Sequence, residues 1–193
     1  MRLCQELHFE TMKRIKLLTR GEMNERQQSV YDTAVAGPRG RAPAPMLAWM
    51  QSPEFADRAQ RLGEFVRYET SLPARLSELA ILLVARIWTA QYEWFAHKKE
   101  ALKAGLDTAI IDDIAHRLRP RCAKHDELVV HDFSLSLCTL HSVSDDLYRE
   151  LVETIGERTS VELVGLLGYY TLIAMTVNTF AIGLPEGVVP ELE

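Results

Sequence analysis

Glu78, Glu93 and His97 are the residues of this chain whose types and spacing best suit chemistry. Glu93 and His97 stand four apart in a stretch of helical character, so their side chains share one helix face within reach of each other. A carboxylate beside an imidazole is an acid–base pair. Ionised, the Glu raises the proton affinity of the ring, while burial beside Trp88, Trp94 and Phe95 opposes the charged form, and the balance sets a proton-transfer group near neutral pH. Glu78 lies one element earlier, and an antiparallel return near 88–90 brings it opposite His97. The same spacing also suits an exposed Glu–His pair that only supports its helix.

A second cluster, His125-Asp-Glu-Leu-Val-Val-His-Asp132, places Glu127 and His131 four apart. Two ligands do not make a metal site, and these acids suit a helix's first turn, where they oppose the macrodipole, so no metal is expected. His8, His116 and His141 occur singly. Cys4, Cys122 and Cys138 are an odd number at wide spacing, which fits neither a disulfide framework nor a zinc site and points to a reducing cytoplasm.

The elements that must position these residues read as helices throughout. Asn24 with Gln27 is a capping-box signature, and the helix it opens at 25–36 ends on Gly37, suited to a left-handed C-terminal position. The stretch 37–45 holds three prolines and two glycines, which makes it a loop, and it carries Arg39 and Arg41. Ser52-Pro53-Glu54 starts a helix reaching 69, with Phe55, Ala59, Leu62, Phe65 and Val66 in helical period. Helices follow at 73–88, apolar nearly all round and therefore central, at 90–104, at 108–117 capped by Asp107, at 125–141, at 145–156 capped by Ser144, and at 160–180. Nothing alternates with period two. The expected fold is all-α, a bundle of about eight or nine helices in one domain over 12–193. Residues 1–11 lack a clear period and read as an extension. The two most apolar helices, 73–88 and 160–180, are candidates to pair with each other.

Composition narrows the function classes. Of 193 residues, 47% are hydrophobic, enough for a real core. The net charge of -5 offers no basic face for phosphate, so nucleic acid is not an expected partner. No secretory signal pattern opens the chain. The eighteen residues 163–180 carry no charge and approach the length of a bilayer span. They include Gly165, Gly168, Thr171, Thr176 and Asn178 with no basic anchor after them, so they read as buried core and no membrane partner is expected.

The run of Glu78, then Tyr92-Glu-Trp94 and His97, resembles the signature region of the carboxymuconolactone decarboxylase family, and residues 67–80 resemble its lead-in. Residues 161–178 are similar to the closing helix of a subgroup, so the likeness extends over most of the chain from Met12. The resemblance implies an alkylhydroperoxidase D-like helical fold. In that branch the signature is a Glu followed by Cys-x-x-Cys-x-x-x-His; aligning its His with His97 puts the Glu on Glu78 and the cysteines on Ala90 and Glu93. Peroxide reduction by disulfide cycling needs two thiols within bonding distance, and this chain has none at those positions. The decarboxylase branch is similar in carrying Glu and His four apart, which fits Glu93 and His97, with Glu78 as relay or structural partner.

What the resemblance implies is cofactor-free chemistry on a small carboxylated lactone or related acid. Decarboxylation leaves electrons that drain into a conjugated carbonyl, so the site needs a donor or cation for the oxyanion and an acid to protonate carbon. His97 tuned by Glu93 is the expected general acid. Arg39, Arg41 or Arg67 would hold a substrate carboxylate, with Tyr92 or Tyr169 as hydroxyl donor. The competing reading makes the loop arginines ordinary surface charges, and Tyr169 and Tyr170 core aromatics. Two further functions stand beside this one: a thiol peroxidase resting on Cys122 or Cys138, and a non-catalytic ligand-binding or assembly protein. The apolar surface of 73–88 and 160–180 points to a homo-oligomer, and family members are typically trimers or hexamers.

Overall fold

The computed structural model describes residues 14–121 and 123–193. The expected extension at 1–11, together with Cys4, His8 and Cys122, lies outside these residues. Among the described residues there are nine α-helices and no strand. They are α1 (Glu25–Ala36), α2 (Ala44–Trp49), α3 (Pro53–Tyr68), α4 (Ala74–Ile87), α5 (Gln91–Lys103), α6 (Thr108–Ala115), α7 (His125–Leu140), α8 (Asp145–Ile155) and α9 (Glu157–Thr179).

Local chemistry accounts for most of the boundaries. Asn24 and Gln27 exchange side-chain-to-backbone bonds of 3.0 and 2.9 Å at the start of α1, the reciprocal capping box that satisfies two orphan donors. Asp107 accepts from the Ala109 N–H at 2.8 Å, and Ser144 from the Leu147 N–H at 3.3 Å. Ser52 holds the N-cap position of α3 without a side-chain cap bond, leaving Pro53 to preset the first turn.

α4 is the hub. Every residue from Leu76 to Arg86 is buried, and the helix packs against α5, α6, α7 and α9. An element apolar on all sides is stable only with neighbours on all sides, which is why α4 sits centrally. α9 packs on it as the second apolar helix. By length and hydropathy α9 would suffice to cross a membrane, yet 61% of its most apolar window is buried inside this fold.

Three details depart from the sequence reading. The loop is shorter than 37–45, because Pro43 caps α2 and Pro45 lies in its first turn, where a missing N–H costs nothing. Gly37 is extended (φ -73°, ψ 178°) and not left-handed; the positive φ falls on Gly40, at 66°. On α3 the buried face is Ala56, Ala59, Gln60, Gly63 and Val66. Phe55, Leu62 and Phe65 point outward, Leu62 being 47% exposed. Small residues let α3 lie close to α9, and the larger apolar side chains of the same helix are left facing away.

Candidate active site

α4 and α5 are joined by a tight reversal at 88–90. Thr89 takes a φ of 47° and the Ala90 N–H reaches back to the Ala85 carbonyl at 2.8 Å. The antiparallel return sets Glu78 beside His97, and His97 Nδ1 lies 2.7 Å from Glu78 Oε2 with both side chains buried. With Glu78 as a carboxylate, Nδ1 carries the proton and donates, which leaves Nε2 as the basic nitrogen of a neutral ring. The partner that orients His97 is therefore Glu78 across the helix pair, and not Glu93 one turn away. The aromatic ring against His97 is Tyr170 of α9, edge-on with centroids 5.0 Å apart, whereas Trp88 is exposed. Burial holds the imidazole below its ordinary value of 6.5; the Glu78 hydrogen bond pulls it back up, and the charges of Arg67 and Arg39 push it down.

Glu93 is in a different situation. It is 1% exposed, and neither carboxyl oxygen has a hydrogen-bond partner. Burial alone pushes its carboxyl well above the ordinary value of 4.5, which favours the neutral acid. An ionised carboxylate there would forfeit its hydration with nothing in return.

Both residues open onto one cleft of about 470 Å3 of empty space, mouth included. Arg39 and Arg41 reach it from the loop, Arg67 from α3, Tyr92, Glu93 and His97 from α5, and Tyr169 and Tyr170 from α9. Every residue expected to bind substrate thus lines the same space. Glu78 stands behind His97 and does not line it. Among the described residues none of the three arginines has an ion-pair partner, although most other arginines do. Residues 53–125 match the carboxymuconolactone decarboxylase family. No curated protein matches the chain.

The matched segment runs from α3 to the first residue of α7, and it supplies Arg67, Glu78, Tyr92, Glu93 and His97. Arg39, Arg41, Tyr169 and Tyr170 come from outside it and close the cleft. At the positions where the alkylhydroperoxidase D branch of the family would carry cysteines, Ala90 is fully buried and Glu93 faces the cleft. Cys138, on α7, is half-buried away from the cleft, and burial pushes its thiol up, opposite to what a nucleophilic thiolate needs.

Gly63 was not singled out in the sequence. A β-carbon there would overlap the hydroxyl oxygen and Cζ of Tyr169 and stand 3.0 Å from its Cε1. A glycine inside an otherwise regular amphipathic helix was the available signal. The Tyr169 hydroxyl is buried beside the Arg39 guanidinium, and its ring stacks edge-on against Trp49 and Tyr170. Trp49 is in turn pinned by a 2.9 Å bond from Nε1 to Thr176 Oγ1.

The 125–132 cluster is structural. Asp126 accepts from Arg75 of α4 at 2.7 Å and the buried Glu127 pairs with the same guanidinium, tying the start of α7 to the hub. His131 Nδ1 lies 2.8 Å from Asp132. Among the described residues no group of three or more His, Cys, Asp or Glu gathers as metal ligands.

Proposed function

We propose that this cleft binds a small organic acid and decarboxylates it by acid–base chemistry, the substrate being a carboxylated lactone or a similar conjugated acid. The observation that carries this reading is the pairing of a neutral, unpartnered Glu93 with arginines that lack protein counter-ions in a single cleft. Uncompensated guanidinium groups around a small cavity call for an anion, and a bidentate carboxylate is the geometry they match.

The substrate enters as a carboxylate held by Arg39 or Arg41. Its C–C bond breaks, carbon dioxide leaves, and the bonding pair moves into the conjugated carbonyl, whose oxygen becomes an enolate. Arg67 and the Tyr169 hydroxyl, beside the Arg39 guanidinium, are the donors available for that oxygen. Glu93 then delivers its proton to carbon and becomes a carboxylate. Such a charge is unstable in a dry site, which drives its reprotonation from solvent. His97, neutral and with Nε2 free, is the relay that accepts the solvent proton and passes it on. Glu78 keeps the ring in the tautomer that allows this. General-acid duty thus moves from His97, where the sequence alone put it, to Glu93.

The test is a panel of small carboxylated lactones and unsaturated acids, with carbon dioxide release and solvent deuterium uptake at carbon as readouts. Turnover should fall on Glu93→Gln and on Arg67→Gln while the variants stay folded. A substrate turned over at full rate by both variants would sink the reading.

We also propose a homo-oligomer. α3 and α9 pack side by side and expose Phe55, Leu62, Phe65, Val161, Val164 and Met175, more large apolar side chains than two neighbouring helices ordinarily leave in water.

A further inference from the structure

A second cavity lies between α4, α6 and α7, with about 460 Å3 of empty space, mouth included. Its floor is apolar, built by Leu83, Ile87, Ile114 and Leu135, and Arg86 and Arg117 stand on its wall. Arg86 is 6% exposed, an unusual place for a guanidinium. Its Nη1 donates to Thr89 Oγ1 at 3.2 Å and its Nη2 to the Glu193 main-chain oxygen at 2.7 Å, while Nε is buried without any partner. Arg117 Nη2 approaches the same Thr89 hydroxyl at 3.5 Å. Two like charges therefore converge on one hydroxyl, and among the described residues neither has a carboxylate side chain within ion-pairing distance. Glu193 offsets the repulsion only in part: burial first and Arg117 second hold Arg86 below its ordinary value.

The rest of the polar wall is already satisfied. Arg119 is paired with Asp132, and Asp132 also meets His131. Thr89 and Arg117 both hold left-handed backbone, at φ 47° and 60°, which a β-branched threonine adopts only when its surroundings impose it.

We propose that this cavity is a second small-molecule site, for an amphipathic monocarboxylate whose charged end sits between Arg86 and Arg117 and whose hydrocarbon end fills the apolar floor. A carboxylate is the group that Arg117 lacks and that Arg86 meets only through Glu193, and burial of an alkyl chain on the apolar floor supplies the remaining affinity. The site is independent of the decarboxylase reading, since it shares no residue with the first cleft.

The probe is octanoate, titrated calorimetrically into the full chain, with butyrate and 1-octanol as controls lacking the tail or the charge. Octanoate should bind saturably, both controls at least about tenfold more weakly. Arg117→Gln and Leu135→Asp, both at exposed positions, should each weaken octanoate by about tenfold or more, and Arg39→Gln in the other cleft should leave it unchanged. No saturation up to about 10 mM, equal binding of the controls, or loss on Arg39→Gln with retention in the first two variants would each overturn the proposal.

Discussion

The phenol of Tyr169 occupies the space that a β-carbon on Gly63 would need, so α9 can present Tyr169 to the cleft only because α3 has no side chain at that point. Gly63→Ala isolates this relationship. Helix propensity favours alanine by about 1 kcal/mol, but overpacking costs about 1–3 kcal/mol, and the clash involves a ring already wedged between Trp49 and Tyr170. Urea unfolding should show a net loss, and Gly63→Ala/Tyr169→Leu should recover most of it. A stabilised single variant would mean that Tyr169 does not pack there.

Glu93 makes stability depend on pH in a known direction. Because its folded-state value is raised above the ordinary 4.5, the unfolded chain releases this proton first as pH rises. Stability is full below about pH 4.5 and declines as pH climbs towards the raised value, at about 1.4 kcal/mol per unit for one proton. Glu93→Gln removes this decline. Relative to wild type, the variant should gain stability from pH 5 to pH 8; parallel pH profiles would show that Glu93 ionises normally.

His97 and Glu78 should behave as one unit. Glu78→Gln keeps the shape but replaces a carboxylate that fixes the Nδ1–H tautomer with an amide that can also donate. If the proposed relay operates, turnover falls by about 10²–10⁴-fold, and adding His97→Ala costs little more. The His97 depression in the fold also predicts a loss of stability as pH falls from about 6.5 through its lower folded value. NMR titration of the His97 ring reads this directly, and an ordinary or raised value would contradict the burial described above.

Arg75, whose side chain is only 17% exposed, should be costlier to remove than an arginine in a surface pair. It neutralises the buried Glu127 and the half-buried Asp126 together. Arg75→Ala leaves Glu127 without its counter-ion at the start of α7 and should cost about 3 kcal/mol, whereas Arg58→Ala, in a surface pair with Glu54, should cost under about 1 kcal/mol. Chemical denaturation of the two variants side by side decides it.

The outward face of α3 gives a prediction about assembly. Leu62→Glu together with Phe65→Glu should lower the molar mass seen by light scattering without lowering helicity. If wild type is already a monomer at about 100 µM, the proposed interface is absent.

By itself the sequence determined eight of the nine helices among the described residues, α2 excepted, and many of their ends. Asn24, Asp107 and Ser144 act through bonds to residues two or three positions away, and the near-continuous apolar run of α4 leaves it no place but the centre. Such signals are local, so they are legible without a fold. The adjacency of Glu78 and His97 was legible too, because the return at 88–90 made them neighbours. What only the tertiary structure decided was how each group is used. Glu93 and His97 have the right spacing to pair, but α4 offers Glu78 at 2.7 Å instead, and the surrounding helices strip water from Glu93 without giving it a partner. The orientation of α3 was likewise hidden: Phe55, Leu62 and Phe65 keep helical period, and only the close approach of α9, over Gly63, turns them outward. Desolvation and packing depend on segments far apart in the chain, and periodicity carries no information about which face the rest of the molecule will cover.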